Sequence, residues 1–446
     1  MEGLTMWLEK GIGEDKRWFY PISAFIIGTA IVVNQLWTMF YPHIQAHFNL
    51  ETTASIVLAA TFSGMGAMII GPPIAGTILD KYGPKIPFIM SAISMVIGHS
   101  LIIKMLSMND WSKAMYIWYL GSFMVGLGGG FYSGTYTATV GKWFPDKPGT
   151  AMGLAVAGTG SAVIIYSPLI GAYIKNHGFS GNIFFIFVIM SIVCLFGIAV
   201  PFWKTPPKDW LPAGMKPASK TSSAKAKGAA HDYTLQEAVK DRRFWLLYFC
   251  FIFSAFSNMF FLQNVSLIIL EGLSKVMDTE TILVSVIPGF LSASAIAGLI
   301  GRFSWGVITD RLGGPWKTLW IVYLLPAIVM ALFYLGYHSV ILIFITGLLF
   351  YFGSGGEPVI HYAIVPYVFG RKHLGKVMSV LNSFSVGLGI AFGPFVGAYI
   401  KDVTGGYFWA LVLAVAIRLC GTAFALLGLK MSLQQEGADN TITKTV

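Results

Sequence analysis

An arginine lies deep inside an apolar segment. Arg302 precedes the pair Asp310 and Arg311 by eight residues, which is ~12 Å along a helix. Because half of a bilayer's hydrocarbon core is ~15 Å, Arg302 is expected near the midplane, where a charge is costly unless it faces protein or water. A guanidinium is planar and always charged, and it binds a carboxylate through two hydrogen bonds. The sequence therefore favours an anion-binding role for Arg302; the alternative is a structural ion pair or a contact with backbone carbonyl groups.

Glu357 and His361 form a second candidate pair. Glu357 is the one acidic residue well inside an apolar segment, and His361 follows four residues later, so the two share one helix face. A buried carboxyl can carry a proton, and histidine changes charge near neutral pH. The pair is a candidate for proton coupling. A purely structural pair, or neutralisation of Arg302 by Glu357, remains an alternative.

Several polar side chains are candidates for contacts with a bound anion. Tyr136 and Tyr362 are related by an offset of 226, and each lies seven residues before an aromatic residue, Trp143 or Phe369. Each tyrosine is therefore ~10 Å deep, where it can offer a hydroxyl group and an apolar wall, although packing is an equally good interpretation. The weaker candidates are Tyr132, Asn34 and Asn382.

The segments that must position these residues are membrane spans. The 446 residues are 55% hydrophobic and 11% charged, about half the charged fraction of a soluble domain, and apolar runs of ~20 residues recur along the chain. The predicted fold is an all-α membrane protein with twelve transmembrane helices. The expected spans are approximately 18–42, 53–79, 85–106, 115–143, 149–174, 181–203, 243–270, 283–309, 316–337, 339–368, 376–400 and 407–429.

Other function classes lack their motifs. The net charge of +10 is explained by basic loops, so we expect no nucleic-acid partner. The glycine run 126–130 lies inside a span and is not followed by Gly-Lys-Ser/Thr, so it predicts close helix packing. There is no metal-ligand cluster and no nucleophile–base pair, and the three cysteines suit packing. We expect neither an enzyme nor a cofactor or metal.

Basic residues fall mainly on one side of the predicted spans. The two tails and the loops on that side hold 23 lysines and arginines, whereas the opposite side holds Lys104, Lys113, Lys175, Lys275 and Lys401. The positive-inside rule then places both termini in the cytoplasm. The predicted location is a plasma (inner) membrane.

The chain repeats itself. Residues 76–83 match 306–313 at an offset of 230, and residues 168–175 match 394–401 at an offset of 226. Such parallel repeats are typical of transporters with a site between the halves. The predicted organisation is two pseudo-symmetric six-helix bundles, 1–203 and 243–446, joined by a cytoplasmic linker, 204–242.

The repeated loop resembles the signature G-x-x-x-D-[RK]-x-G of the major facilitator superfamily. That resemblance implies gating residues that clasp the cytoplasmic helix ends. They are Gly76, Asp80, Lys81 and Gly83 in the first copy, and Gly306, Asp310, Arg311 and Gly313 in the second.

Three further stretches resemble the oxalate–formate antiporter family, which is related to monocarboxylate transporters: 143–147, 206–210 and 244–245. The resemblance implies that Arg302 is the carboxylate anchor. Oxalate-exchanging members of the family add a lysine in the eleventh span, and this sequence has no lysine over 380–387. Animal-type monocarboxylate transporters carry an aspartate one turn before the arginine, and Gly298 stands at that position here. One fixed cation suits one carboxylate.

These residues and resemblances together predict a proton-coupled transporter of a small monocarboxylate such as lactate, formate, acetate or pyruvate, working by alternating access as a monomer. The alternatives are an oxalate:formate-type exchanger and a transport-dead carboxylate sensor. Arg418, in the twelfth span, is expected to snorkel or to join helices, because outer helices of this fold do not line the site.

Overall fold

The computed structural model describes residues 11–31, 33–207, 210–212, 232–370 and 377–444. Within these residues the regular structure is entirely helical, and no strand occurs. The chain divides into two units. The first comprises Met1–Ser223 with Glu280–Ser292, and the second comprises Ala224–Thr279 with Ala293–Val446.

Among its described residues, the first unit contains seven α-helices, followed by the start of the helix that carries Arg302. Ser167 of the fifth span donates a hydrogen bond to the carbonyl oxygen of Pro288 in that starting segment (2.9 Å). The seven are α1 (Phe19–Ile31), α2 (Trp37–His47), α3 (Ala54–Tyr82), α4 (Lys85–Leu106), α5 (Trp111–Trp143), α6 (Pro148–His177) and α7 (Asn182–Phe202).

The second unit contains the remaining helices. A short helix, α8, precedes six spans, and a π-helical segment, Ser379–Val386, leads into the fifth of them. The helices are α8 (Leu235–Lys240), α9 (Arg242–Leu273), α10 (Thr279–Arg311), α11 (Pro315–Leu335), α12 (Val340–Phe369), α13 (Gly387–Thr404) and α14 (Phe408–Lys444).

Ten helices in the described part of the chain are long and apolar enough to cross a bilayer. Two expected spans differ from that pattern. The first is interrupted by a 3-10 turn, Val33–Leu36, where a β-branched run meets Asn34, whose residue type competes with helical hydrogen bonding. The fourth, α5, is one 33-residue helix, but its glycine, serine and threonine residues lower its hydropathy.

Several glycines allow helices to approach closely. A Cβ atom added at Gly126 would lie 2.1 Å from the carbonyl oxygen of Ser63, and one at Gly158 would lie 2.2 Å from that of Phe25. In the second unit, Gly393 makes the same approach to Phe256. These distances leave no room for a methyl group, so the packing role predicted for the glycine run at 126–130 is confirmed.

Candidate functional site

Arg302 lies half-buried on α10, beside the contact between α10 and α12. A Cβ atom at the preceding Gly301 would lie 2.2 Å from the carbonyl oxygen of Phe352, and the indole nitrogen of Trp305 donates to the same oxygen (3.1 Å). The helix is therefore held against α12 on both sides of Arg302. This contact fixes the backbone position from which the guanidinium projects.

The first unit shows what this position looks like without the arginine. Residues 71–80 and 301–310 alternate between buried and accessible positions in nearly the same order, with Gly71 and Gly301 both buried and Asp80 and Asp310 both exposed. Pro72, which stands where Arg302 does, is also half-buried. The same scaffold is thus built without a base, so the helix packing itself does not require the guanidinium.

The signature loops have the backbone that their glycines predict. Gly83 and Gly313 adopt positive φ values of 78° and 83°, which glycine reaches at little cost. Asp80 accepts a hydrogen bond from Nζ of Lys142 at the end of α5 (3.0 Å), and Lys81 lies over the ring of Tyr82 (5.0 Å). Arg311 and Asp310 are exposed.

The other two signature glycines lie in more open surroundings. Among the described residues, a Cβ atom added at Gly306 would have only Val359 within 4 Å, at 3.8 Å. One added at Gly76 would have no described atom within 4 Å. Neither glycine is therefore required for close helix packing.

The tyrosine candidates occupy different surroundings. Tyr132 is buried, and its hydroxyl donates to the carbonyl oxygen of Ala24 (2.5 Å), so it joins α5 to α1. Tyr136 is also buried (3% exposed), with its ring 4.7 Å from that of Tyr132. Tyr362 is 61% exposed. The side chains of Asn34 and Asn382 lie outside the described residues.

The burial pattern corrects the correspondence between Tyr136 and Tyr362. Buried positions on α5 recur on α12 at an offset of 225 residues, one fewer than the sequence comparison gave. Tyr136 then corresponds to His361, and Tyr132 to Glu357. The other matching buried pairs include Trp118 and Ile343, Val125 and Phe350, and Val140 and Val365.

Glu357 is the centre of a buried polar cluster in the second unit. Its carboxylate accepts hydrogen bonds from Nη2 of Arg418 and from the hydroxyl of Ser254. Arg418 is fully buried. Its Nε donates to the carbonyl oxygen of Tyr323 (3.1 Å), and its Nη1 donates to that of Ser254 (3.4 Å). The cluster therefore ties together α9, α11, α12 and α14.

His361 belongs to the same cluster through another partner. Its Nε2 lies 2.7 Å from the hydroxyl of Tyr323, and its ring stacks on Phe251 with centroids 3.8 Å apart. Glu357 and His361 share the buried face that their spacing predicts, but each has its own partners. The helix-joining role expected for Arg418 is confirmed, and snorkelling is excluded by its burial.

The sequence held one signal for this cluster. Arg302 and Arg418 are both arginines deep in spans, and Glu357 is the deep acid. A buried charge needs a counter-charge, so either arginine was a possible partner. To choose between Arg302 and Arg418, one must know the rotation of α14 about its axis, and the hydropathy of that helix does not give it.

Two of the stretches behind the family resemblance meet at the start of α1. Both guanidinium Nη atoms of Arg17 donate to Asp146 (2.7 Å each), and the guanidinium lies over the rings of Phe144 and Trp210. The hydrogen bond from Arg17 holds the pKa of Asp146 below its usual range. We refer to Arg17, Asp146, Phe144 and Trp210 as the Arg17 clasp.

The comparisons with known proteins agree with this architecture. The family model of the Major Facilitator Superfamily matches residues 22–350 and 289–442. The chain belongs to the major facilitator superfamily. This major facilitator protein has the all-α transporter fold, is a multi-pass membrane protein and is not an enzyme.

Two of its relatives are named as carboxylate transporters. The chain is 27% identical over 319 residues to the oxalate:formate antiporter of Oxalobacter formigenes, covering 71% of this chain and 69% of the relative. It is 23% identical over 412 residues to monocarboxylate transporter 13 of Rattus norvegicus, covering 91% and 87%.

A solved structure shares the fold of this major facilitator protein. It is a bacterial homologue of the human lysosomal transporter Spinster, in an inward-facing and occupied conformation. The TM-score is 0.65 at 13% identity, covering 92% of this chain and 96% of the other. At that identity the likeness shows the fold alone.

Proposed function

We propose that this protein transports a small monocarboxylate, of the size of lactate, formate, acetate or pyruvate, together with protons. The observation that carries the proposal is Arg302, a half-buried arginine on α10 that the first unit replaces with Pro72 in a matching backbone. The cost of placing a guanidinium there is explained when an anionic substrate binds it.

The second intramembrane arginine supports a single carboxylate. Arg418 is fully buried and already bound to Glu357, so its charge is neutralised within the protein. The proposal therefore assigns the substrate to Arg302, and one arginine matches one negative charge. The absence of a lysine from residues 380–387 points the same way.

Polar side chains are proposed to contact the substrate beside Arg302, among them Tyr362, which is 61% exposed. Tyr136 and Tyr132 are proposed contacts that are buried in the first unit, where Tyr132 positions α5 on α1. Asn34 and Asn382 complete the proposed lining. The loops at Asp80 and Asp310 gate the cytoplasmic side during alternating access. In this proposal the protein works as a monomer in the plasma membrane, and both termini are cytoplasmic.

Proton coupling is proposed at the cluster of Glu357 and His361. In the described state Glu357 accepts from two donors, as an ionised carboxylate does. A proton arriving at Glu357 would weaken its ion pair with Arg418 and loosen the contact between α12 and α14. A proton-coupled transport cycle requires a helix contact that responds to protonation, and we assign that role to the contact between α12 and α14.

The anchor is tested by uptake of labelled lactate and formate into proteoliposomes. Removing one partner of a buried charge pair costs ~2–5 kcal/mol, so Arg302→Gln should lower uptake by about thirtyfold or more. Lys104→Gln removes an exposed base on α4 and should keep wild-type uptake. Normal transport by Arg302→Lys would remove the two-hydrogen-bond anchor from the proposal.

The coupling is tested in the same vesicles with an imposed pH gradient. Glu357→Gln combined with His361→Gln should abolish the response to the gradient and leave counterflow of labelled substrate intact. Glu357→Gln with Arg418→Gln is the matched variant, because it neutralises both partners and leaves no buried unpaired charge. Uptake that still follows the gradient in both variants would contradict coupling at this cluster.

Exchange is the second candidate, favoured by the likeness to the oxalate:formate antiporter. Vesicles preloaded with formate decide between the two. An exchanger takes up labelled oxalate only when preloaded, whereas a proton-coupled carrier takes up labelled monocarboxylate into empty vesicles. A transport-dead sensor would bind the carboxylate but would transport it into neither preloaded nor empty vesicles.

A further inference from the structure

A groove runs between the starting turns of α9 and the later turns of α14 in the second unit. Its volume is ≈390 Å³. The described residues that line it are Arg242, Trp245, Leu246, Phe249, Phe424, Leu427, Lys430 and Met431. It is separate from Arg302 and from the buried cluster around Glu357, and the proposed transport cycle does not use it.

The walls of the groove are apolar. Trp245, Phe249 and Leu427 are 45%, 40% and 51% exposed, as side chains of membrane-spanning helices that face lipid are. The rings of Phe249 and Phe424 stack at 6.0 Å. The indole nitrogen of Trp245 donates to the carbonyl oxygen of Val239 (2.9 Å), which fixes the ring at the mouth. This surface suits a hydrocarbon chain.

The mouth of the groove is basic. Arg242 and Lys430 are both exposed and both line it, and none of its eight described lining residues is acidic. Arg243, the next residue, is bound to Asp241 through Nε and Nη2, so its charge is balanced locally. Two exposed basic residues therefore border an apolar channel whose lining also includes Trp245.

We propose that this groove binds one anionic glycerophospholipid. The phosphate group lies between Arg242 and Lys430, and an acyl chain follows Trp245, Phe249 and Phe424 into the membrane. Basic pockets between helices on the cytoplasmic side are the sites that suit anionic headgroups, and tryptophan favours the headgroup level. The proposal rests on the cytoplasmic orientation predicted from the basic loops. Charge complementarity favours this lipid over a second copy of the chain, whose basic loops would meet the same cations.

The test uses the fluorescence of Trp245 in vesicles. The full chain is reconstituted in an equal mixture of phosphatidylglycerol and phosphatidylcholine, with bromine on one lipid or on the other. Both mixtures have the same charge and the same bromine content. The chain has 13 tryptophans, so the signal of Trp245 is the difference between the wild type and Trp245→Phe.

The expected result is stronger quenching of Trp245 when phosphatidylglycerol carries the bromine. One cation near an anionic surface changes binding about fivefold, so each of Arg242→Gln and Lys430→Gln should reduce the preference by about that factor, and the double variant should show none. Lys317→Gln removes an exposed base of the same unit outside the groove and should keep the preference.

Equal quenching by the two lipids in the wild type would overturn the proposal, because the groove would then hold unselected bilayer lipid. Quenching by neither lipid would also overturn it and would show that protein covers the groove. If the double variant does not fold, the wild type and the two single variants decide the outcome.

Discussion

The interiors of the two units differ at corresponding positions. In the first unit, Tyr132 and Tyr136 pack together on α5, and one hydroxyl bonds to a backbone carbonyl group of α1. In the second unit, the corresponding positions of α12 hold Glu357 and His361, which bond to Arg418, Ser254 and Tyr323. One position therefore joins α5 to α1 through a neutral hydrogen bond, and the corresponding position joins α12 to α14 through an ion pair.

This difference separates what the scaffold needs from what the second unit adds. Replacing a buried ion pair with neutral residues is often harmless or stabilising, so the charges are not explained by stability. Arg302 and Pro72 show the same contrast on α10 and α3. Both additions of charge fall in the second unit, which is where we place the carboxylate anchor and proton coupling.

The largest expected effect comes from breaking the ion pair on one side. Arg418→Gln leaves the carboxylate of Glu357 buried without its counter-charge, which costs ~3–5 kcal/mol of folding free energy. The thermal unfolding midpoint of the purified protein in detergent should fall strongly. Glu357→Gln in the Arg418→Gln background should recover most of the loss, because the cluster then resembles the neutral first unit. A double variant as unstable as Arg418→Gln would contradict the comparison.

A smaller effect is expected from the hydrogen bond in the first unit. Tyr132→Phe removes the donor to the carbonyl oxygen of Ala24, and one such bond contributes ~0.5–1.5 kcal/mol. The unfolding midpoint should fall by less than for Arg418→Gln, and the response of uptake to a pH gradient should not change. A loss of proton coupling in Tyr132→Phe would mean that the two interiors share that function.

The smallest effect is expected at the Arg17 clasp. Its ion pair is a fifth to a quarter exposed, and exposed pairs contribute ~0.2–1 kcal/mol, so Asp146→Asn should lower the unfolding midpoint slightly. Because the pKa of Asp146 is lowered in the folded protein, its contribution is complete at neutral pH and is lost as the pH falls through the acidic range of a carboxyl group. The difference between the wild type and Asp146→Asn should therefore vanish at low pH. A difference that persists there would assign the effect to packing.

The fold could be predicted from the sequence because the patterns that indicate it are long and occur more than once. Twenty-residue apolar runs and two copies of the signature loop were enough to predict the all-α membrane fold and the superfamily, and ten of the expected spans are long, apolar helices in the described residues. The break in the first span was missed, since hydropathy averages over the 3-10 turn at Val33–Leu36.

The candidate site could be predicted from the sequence only in part, because the partner of a side chain depends on the rotation of each helix about its axis. Glu357, His361 and Arg302 stand out as polar residues in apolar helices, and that signal is visible in the sequence. Pairing Glu357 with Arg418 needs the rotation of α14 to be known. A shift of one residue in the repeat offset was enough to match Tyr136 with Tyr362 instead of His361, because one residue turns a helix by ~100°.

The close approaches at glycines set the mutational tolerance of the chain. At Gly158 and Gly393 a methyl group would lie 2.2 Å from a backbone oxygen of another helix, whereas Gly153 and Gly197 have no described atom within 4 Å of that position. In a library of random variants selected for growth on a carboxylate, alanine should be depleted at the first two positions and retained at the other two. Glycines of one span, such as Gly153 and Gly158 of α6, thus differ in how freely the sequence can diverge around them.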